Sequence, residues 1–181
     1  LYFAAIPLAI GGVILSAPII AFLFGKEYLP ATASFQILIA SVLIQFPSAI
    51  LEGLIMAYNQ QKQFVKYAVL GSASNVIFNI FLIPIWGIAG SATATLIAQL
   101  SYYIPIWLKI KKINNFYALR HLKKITVAAV IMGIMGFVLN KWELNVILNI
   151  AISIGIYFLS LYLLKEKILG EIKKLFGKIR N

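Results

Sequence analysis

The sequence of 181 residues contains no cysteine, one histidine and only five Asp and Glu residues. The absence of cysteine excludes a disulfide framework and a cysteine-ligated metal site. Charged residues make up 12% of the chain, whereas a soluble domain has about 25%. At the same time 62% of the residues are hydrophobic. This composition excludes a disordered chain and indicates a protein embedded in a membrane.

The scarcity of acids and histidines also argues against catalysis. His121 has no acid close to it in the sequence, so it predicts neither a metal site nor a catalytic triad. The five acids are spread along the chain and do not cluster. We therefore expect no catalytic residues, no metal and no cofactor, and we do not expect an enzyme.

Six stretches are long and apolar enough to cross a bilayer as helices, since one crossing takes about 20 residues. They cover residues 3–24, 31–58, 64–86, 87–108, 122–139 and 144–164. Short breaks containing Gly, Pro, Asn and Lys separate most of them. The predicted fold is all-α, with a six-helix transmembrane lobe over residues 1–164. Residues 165–181 are predicted to form a basic amphipathic tail at the membrane interface.

The 16 Lys and Arg residues are distributed unevenly over the predicted loops. Fourteen of them fall in the second loop, the fourth loop and the tail, and only Lys26 and Lys141 fall on the other side. Because positive residues stay on the cytoplasmic side, both ends of the chain are predicted to lie in the cytoplasm. The formal net charge of +11 therefore indicates how the chain is oriented in the cell membrane. Nucleic acid is not expected as a partner.

Helix-breaking residues in the first predicted span form one group of candidate functional residues. Pro7 and Pro18 lie inside this span, with Gly11 and Gly12 between them. Interior prolines kink helices, and kinked helices suit a protein that changes shape around a cavity. We expect this span to bend and to line a cavity. The alternative is packing alone, because proline is also frequent in membrane helices in general.

Polar residues inside the spans form the second group. Glu52 is the only acid well inside a span; it could couple transport to a cation, or it could pair locally with Lys62 or Lys66. Asn75 and Asn79 lie one turn apart on the third span. They could hydrogen-bond to a neighbouring helix or contact a sugar, and bonding between helices is the simpler interpretation.

Two motifs resemble those of a transporter family. Residues 25–31, with Gly25, Tyr28 and Ala31, are similar to the G-x-x-Y-x-x-A break that follows the seventh helix of polysaccharide flippases. Residues 75–95 resemble the pattern N-x-x-x-N-x-x-L-I-P-x-x-G-x-x-G-A-A-x-A-T from the C-terminal part of the same proteins, with Thr93 as a minor departure. The chain thus resembles polysaccharide biosynthesis (O-antigen flippase-like) transporters of the multidrug/oligosaccharidyl-lipid/polysaccharide exporter superfamily.

This resemblance implies two lobes around a central cavity, of which the chain would be the C-terminal one. Such transporters move undecaprenyl-pyrophosphate-linked oligosaccharide repeat units across the cytoplasmic membrane for polysaccharide biosynthesis. The implied partners are membrane lipid, the lipid-linked oligosaccharide and an N-terminal lobe of the same polypeptide. The start at Leu1 fits a piece of a longer protein. No intramembrane Lys or Arg in the sequence predicts a pyrophosphate site.

Three other functions stay open from the sequence. A drug exporter of the same superfamily, driven by a cation gradient, would use an intramembrane acid such as Glu52. A flippase for a lipid-linked peptidoglycan precursor would share the same architecture. A membrane anchor or assembly subunit would need the six spans and no transport. Since one lobe encloses no cavity, we expect that this fragment alone does not transport.

Overall fold

The computed structural model describes residues 1–113 and 122–166, and every regular element in these ranges is helical. The elements are α1 (Tyr2–Ile14), α2 (Ser16–Leu23), a 3-10 helix (Lys26–Ala31), α3 (Thr32–Ala40), α4 (Val42–Ala57), α5 (Gln61–Ile113), α6 (Leu122–Lys141) and α7 (Val146–Leu163). The all-α prediction is confirmed for this part of the chain. His121 and residues 167–181 of the predicted tail lie outside the described residues.

Four helical segments within the described ranges are long and apolar enough to cross a membrane. They are Lys26–Ala57, Gln61–Ile113, Leu122–Lys141 and Val146–Leu163, and α1 with α2 makes a fifth if this bent pair is counted as one span. The number differs from the six predicted because the third and fourth predicted spans run together as α5. A straight helix of the 53 residues in α5 would be about 80 Å long, far more than the ~30 Å core of a bilayer.

The chain reverses its direction within α5, at Gly87. This glycine has φ +55° and ψ −131°, a backbone conformation that interrupts the helix and that glycine adopts readily. The ring centroids of Phe64 and Tyr102 lie 5.5 Å apart, whereas an unbroken helix would separate these residues by about 57 Å. α5 is therefore a hairpin of a first arm, residues 61–86, and an antiparallel second arm, residues 88–113.

The two arms of the hairpin approach each other closely beside the turn. A Cβ atom on Gly90 would lie 2.1 Å from the carbonyl oxygen of Leu82, so a larger residue has no room there. Farther from the turn, a Cβ atom on Gly71 would lie 3.2 Å from the carbonyl oxygen of Ala98. Small residues at such positions let two membrane helices pack backbone against backbone.

The helices form two packed groups that α1 connects. In the first group, α1 packs with α6 and α7 around Ile6, Met132 and Leu161. In the second group, α3 and α4 pack against α5, and Leu51 and Ile106 lie in the buried cluster between α4 and α5. α1 also contacts α3 and α4. It therefore lies between the two groups and has a contact surface on each.

Most of the described lysines gather at one end of the bundle. Lys124 Nζ, at the start of α6, donates a hydrogen bond to the carbonyl oxygen of Lys165, just after α7 (3.2 Å). Tyr2 packs on the same cluster as Leu164 and lines the same groove as Trp107, so the end of the α5 hairpin lies at this end too. The lysines at this basic end are Lys62, Lys66, Lys109, Lys111, Lys112, Lys123, Lys124 and Lys165.

The close contact at Gly90 makes a testable prediction. Gly90→Ala is expected to lower the free energy of unfolding in detergent by about 1–3 kcal/mol, because the new methyl group must displace the Leu82 backbone. Gly155→Ala in α7 is the matched control, since its Cβ position has no contact within 4 Å outside the adjacent residues and the backbone of its own helix. That substitution is expected to stabilise by about 0.5–1 kcal/mol. Equal effects of the two substitutions would show that the arms are not in contact at Gly90.

Candidate functional site

The helix that begins the chain is broken inside the apolar region. α1 ends at Ile14 and α2 starts at Ser16, and their axes differ by 75°. Pro18 explains the position of the break, because its nitrogen has no hydrogen and cannot bond to the Ile14 carbonyl four residues earlier. Its ring also crowds that carbonyl, so the chain bends one residue later, at Leu15. The predicted bend in this span is thus present, at Leu15, three residues before Pro18.

Side chains hold the backbone carbonyl that lies just before the break. The Val13 carbonyl oxygen accepts hydrogen bonds from Ser16 Oγ (2.9 Å) and from Gln36 Nε2 of α3 (3.2 Å). Ser16 is 1% exposed. In hydrocarbon an unpaired carbonyl costs several kcal/mol, so these two donors stabilise the bent form of the helix and tie it to α3.

Pro7 does not break α1, which continues from Tyr2 to Ile14. The missing N–H of Pro7 would otherwise bond to the Phe3 carbonyl, four residues earlier. In the structure the Tyr157 hydroxyl of α7 donates to that carbonyl instead, at 2.7 Å. Pro7 therefore frees an acceptor that Tyr157 uses, and this bond fixes the start of α1 to α7.

Gly11 and Gly12, which lie between the two prolines, are positions of close helix contact. Both lie within the unbroken part of α1. A Cβ atom on Gly11 would lie 3.4 Å from Met132 of α6, and one on Gly12 would lie 2.5 Å from Ile39 of α3. On the facing helix, a Cβ atom on Gly133 would lie 2.7 Å from Ile10. These glycines bring α1 close to both of its neighbours, and the bend lies elsewhere, at Leu15.

Glu52 lies on α4 and faces the second arm of the hairpin. Its Oε1 accepts a hydrogen bond from the Tyr103 hydroxyl (3.1 Å). Among the described residues its hydrogen-bond partner is thus Tyr103, on another helix, rather than Lys62 or Lys66. The Tyr103 ring also packs against Tyr102, with centroids 4.5 Å apart. The carboxylate is half-buried and lies beside aromatic rings, and an acid inside a membrane segment is a candidate functional residue.

Asn75 and Asn79 form a hydrogen bond with each other, within one helix. From the sequence we had favoured hydrogen bonds to a neighbouring helix. Asn79 Nδ2 donates to Asn75 Oδ1 (2.9 Å) on the first arm. Asn79 Oδ1 is buried without a hydrogen-bond partner, as is Gln99 Oε1 on the second arm. Two unpaired acceptors inside the hairpin are costly in an apolar region, so this part of the bundle retains capacity to accept hydrogen bonds.

A buried polar row on α7 was missed in the sequence. Asn149 is 1% exposed; its Nδ2 donates to the Gly136 carbonyl of α6 (3.0 Å), and its Oδ1 accepts from Ser153 Oγ (3.2 Å). Asn149, Ser153 and Tyr157 follow one another at intervals of four residues on one helix face. This spacing was the available signal, and it marks the face that α7 turns to α6 and α1.

The candidate residues occupy three separate places. Pro7, Gly11, Gly12 and Pro18 lie on the broken helix, Glu52 lies between α4 and the second arm, and the two asparagines lie on the first arm. Within residues 1–113 and 122–166, no group of three His, Cys, Asp or Glu side chains could hold a metal ion. The broken helix combines a defined bend with contacts to both packed groups, so it is the strongest candidate for a functional element.

No protein-family model matches the chain, and no solved structure matches it. The chain is similar to the uncharacterized membrane protein MJ1068 of Methanocaldococcus jannaschii, with 28% identity over 181 residues. The alignment covers 96% of this chain and 35% of that protein, so the chain spans about a third of the length of the relative. The name of the relative and the apolar helices of the chain together support a membrane-spanning protein.

The bond between Tyr157 and the carbonyl freed by Pro7 can be tested with a double-mutant cycle. Tyr157→Phe is expected to lower the free energy of unfolding in detergent by about 1 kcal/mol, because the Phe3 carbonyl loses its donor. In a Pro7→Ala background the same change is expected to cost almost nothing, since the new Ala N–H supplies a donor within the helix.

Tyr162→Phe is the matched control for this cycle, because Tyr162 lies on the same helix and is 72% exposed. It is expected to leave the unfolding free energy unchanged in both backgrounds. If Tyr157→Phe cost the same with and without Pro7, the proposed link between proline and hydroxyl would be wrong.

Proposed function

We propose that this chain is the C-terminal lobe of a flippase that moves lipid-linked oligosaccharide repeat units across the cytoplasmic membrane. In this proposal the lobe crosses the membrane six times, with the bent pair α1–α2, the pair α3–α4, the two arms of α5, α6 and α7. Each arm of the hairpin is about 39 Å long at 1.5 Å per residue. That length is sufficient for the ~30 Å core of a bilayer.

The proposal also orients the lobe. The basic end carries Lys62, Lys66, Lys109, Lys111, Lys112, Lys123, Lys124 and Lys165, whereas Lys26 and Lys141 lie at the far ends of their helices. Because lysines are retained on the cytoplasmic side of a membrane, the basic end would face the cytoplasm. Leu1 and the described end of α7 would then lie on that side.

The observation that carries the transport proposal is the break at Leu15. Secondary transporters place their substrate sites at discontinuous helices, and alternating access moves one group of helices against another. Here the broken helix lies between the two packed groups and bonds to both, through Tyr157 on α7 and Gln36 on α3. α2, beyond the break, contacts α3 of one group and α7 of the other, so a change of the 75° angle would alter its contacts with both groups.

The substrate class in this proposal comes from the resemblance of the two sequence motifs to those of polysaccharide flippases. The second motif coincides with the α5 hairpin: it contains the bonded Asn75–Asn79 pair, the turn at Gly87 and the close contact at Gly90. The similar membrane protein aligns over only 35% of its length, which leaves room for a second lobe. A lipid-linked sugar needs such an enclosure, because its charged headgroup cannot cross hydrocarbon unshielded.

Pro18→Ala tests the role of the break. Alanine restores a donor for the Ile14 carbonyl, so the bend is expected to lessen and transport to fall by about tenfold, equivalent to about 1.4 kcal/mol. The full-length polypeptide is reconstituted in vesicles with an undecaprenyl-pyrophosphate-linked oligosaccharide. Periodate, which does not cross the membrane, then reports how fast sugar arrives on the outer face.

Pro105→Ala is the matched control, because Pro105 lies within the second arm, which continues through it as helix. Its transport rate is expected to stay at the wild-type value. Wild-type transport by the Pro18→Ala protein would remove the break from the mechanism, and absence of any sugar transport by the unmodified protein would refute the flippase proposal itself.

Glu52 favours a second candidate, a drug exporter driven by a cation gradient. Its carboxylate lies between two helices with Tyr103 as partner, where protonation could be coupled to movement. For an exporter, Glu52→Gln is expected to abolish accumulation of a lipophilic cation driven by a pH gradient in vesicles, since the amide still accepts the Tyr103 bond but carries no charge. A flippase is expected to show no such accumulation even when unmodified.

A further inference from the structure

A groove on the surface of the bundle has no role in the proposed transport. It lies between the start of α1, α4 and the second arm of the hairpin, and its volume is about 540 Å³. Most of its wall is aliphatic, including Leu43, Leu51 and Ile104. Tyr2, Tyr103 and Trp107 complete one side. We refer to it as the α4 groove.

Two of the polar side chains in the wall of the α4 groove, Ser48 and Tyr103, are already paired. Ser48 Oγ donates to the carbonyl oxygen of Gln45, one turn earlier on α4. The Tyr103 hydroxyl donates to Glu52, whose side chain is not part of the wall. The groove therefore offers contact surface to an apolar occupant and few free hydrogen-bonding groups. In a membrane such a surface is filled by hydrocarbon, because water there would lose its hydrogen bonds.

Lysines at the basic end of the bundle favour a negatively charged occupant in the α4 groove. Trp107 lies in the wall near this end, and Lys111 Nζ lies 5.0 Å from the centroid of its ring. Lys111 is exposed, and Lys109 and Lys112 are its neighbours on the same helix end. An occupant with a hydrocarbon chain in the groove would thus have its head near a cluster of ammonium groups, which attract anionic lipid headgroups.

We propose that the α4 groove is a binding site for an anionic phospholipid of the surrounding membrane. One acyl chain lies along Leu51 and Ile104, and the headgroup phosphate pairs with Lys111. The lipid bridges α1, α4 and the second arm, so it connects the two packed groups of helices from outside. This site is independent of the lipid-linked sugar, and the proposal stands whether or not the protein is a flippase.

The test measures which lipid chain lies next to the groove. Ile104→Cys places a label in the wall, at a residue that is 50% exposed, and the chain has no other cysteine. Leu70→Cys is the control, since it is 48% exposed and lies equally far from the basic end on the other arm. In each full-length protein any cysteine outside these 181 residues is replaced by serine, and the remaining cysteine carries a fluorophore that nitroxides quench, in phosphatidylcholine vesicles with phosphatidylglycerol. Two samples are compared, at equal mole fraction of labelled lipid. In one the nitroxide is on the acyl chains of phosphatidylglycerol, and in the other it is on those of phosphatidylcholine.

At Ile104 we expect nitroxide-labelled phosphatidylglycerol to be favoured about fivefold over labelled phosphatidylcholine, the ratio that corresponds to about 1 kcal/mol for one lysine near the surface. At Leu70 we expect no preference. Lys111→Gln is expected to remove the preference at Ile104, whereas Lys111→Arg and Lys123→Gln are expected to keep it.

Equal quenching by the two lipids at Ile104, or a preference that survives Lys111→Gln, would overturn the proposal. A third arm adds undecaprenyl phosphate without a label, at the mole fraction of the phosphatidylglycerol. If undecaprenyl phosphate displaces the labelled lipid no more strongly than unlabelled phosphatidylglycerol does, the result supports the phospholipid site. If undecaprenyl phosphate displaces the labelled lipid much more strongly, the groove holds the polyprenyl chain and the phospholipid assignment is wrong.

Discussion

The fold depends on the requirement that backbone groups inside a bilayer find partners within the protein. Pro7 in α1 and Pro18 in α2 each remove one N–H donor from the helix hydrogen bonds of this bent pair. At Pro7 the freed Phe3 carbonyl accepts from Tyr157, and near Pro18 the Val13 carbonyl accepts from Ser16 and Gln36. The first bond joins α1 to α7 and the Gln36 bond joins it to α3, so carbonyls left unpaired at Pro7 and beside the break also fix where the helix packs.

Close backbone approach complements these polar bonds. Glycines at the α1–α6 and α1–α3 contacts and inside the α5 hairpin stand where a Cβ atom would overlap a neighbour. Lipid tails are as apolar as the side chains, so burial from water contributes little to helix association. The attraction between helices has to come from close packing instead. This close packing fixes α1 between the two groups of helices, so a change of the bend would move α2 against them.

Much of the helix pattern could be predicted from the sequence because length and hydropathy are local properties. The predicted spans 122–139 and 144–164 match α6 and α7 within two residues, and the predicted boundary between residues 86 and 87 coincides with the reversal at Gly87. A bend was expected in the first span but could not be assigned to one position, because Pro7 and Pro18 each remove one helix hydrogen bond and only packing decides where the helix breaks. The buried Asn149 was missed, because its partner is a backbone carbonyl of another helix.

By itself the sequence indicated a helical membrane-spanning protein and the positions of most of the helices in the described residues. These properties follow from composition and spacing along the chain. The tertiary structure decided what the exceptional residues do: Tyr157 meets Phe3, Gln36 meets Val13, and Tyr103 meets Glu52. Each pair joins residues that are 23 to 154 positions apart, and only packing brings such distant donors and acceptors within hydrogen-bond distance.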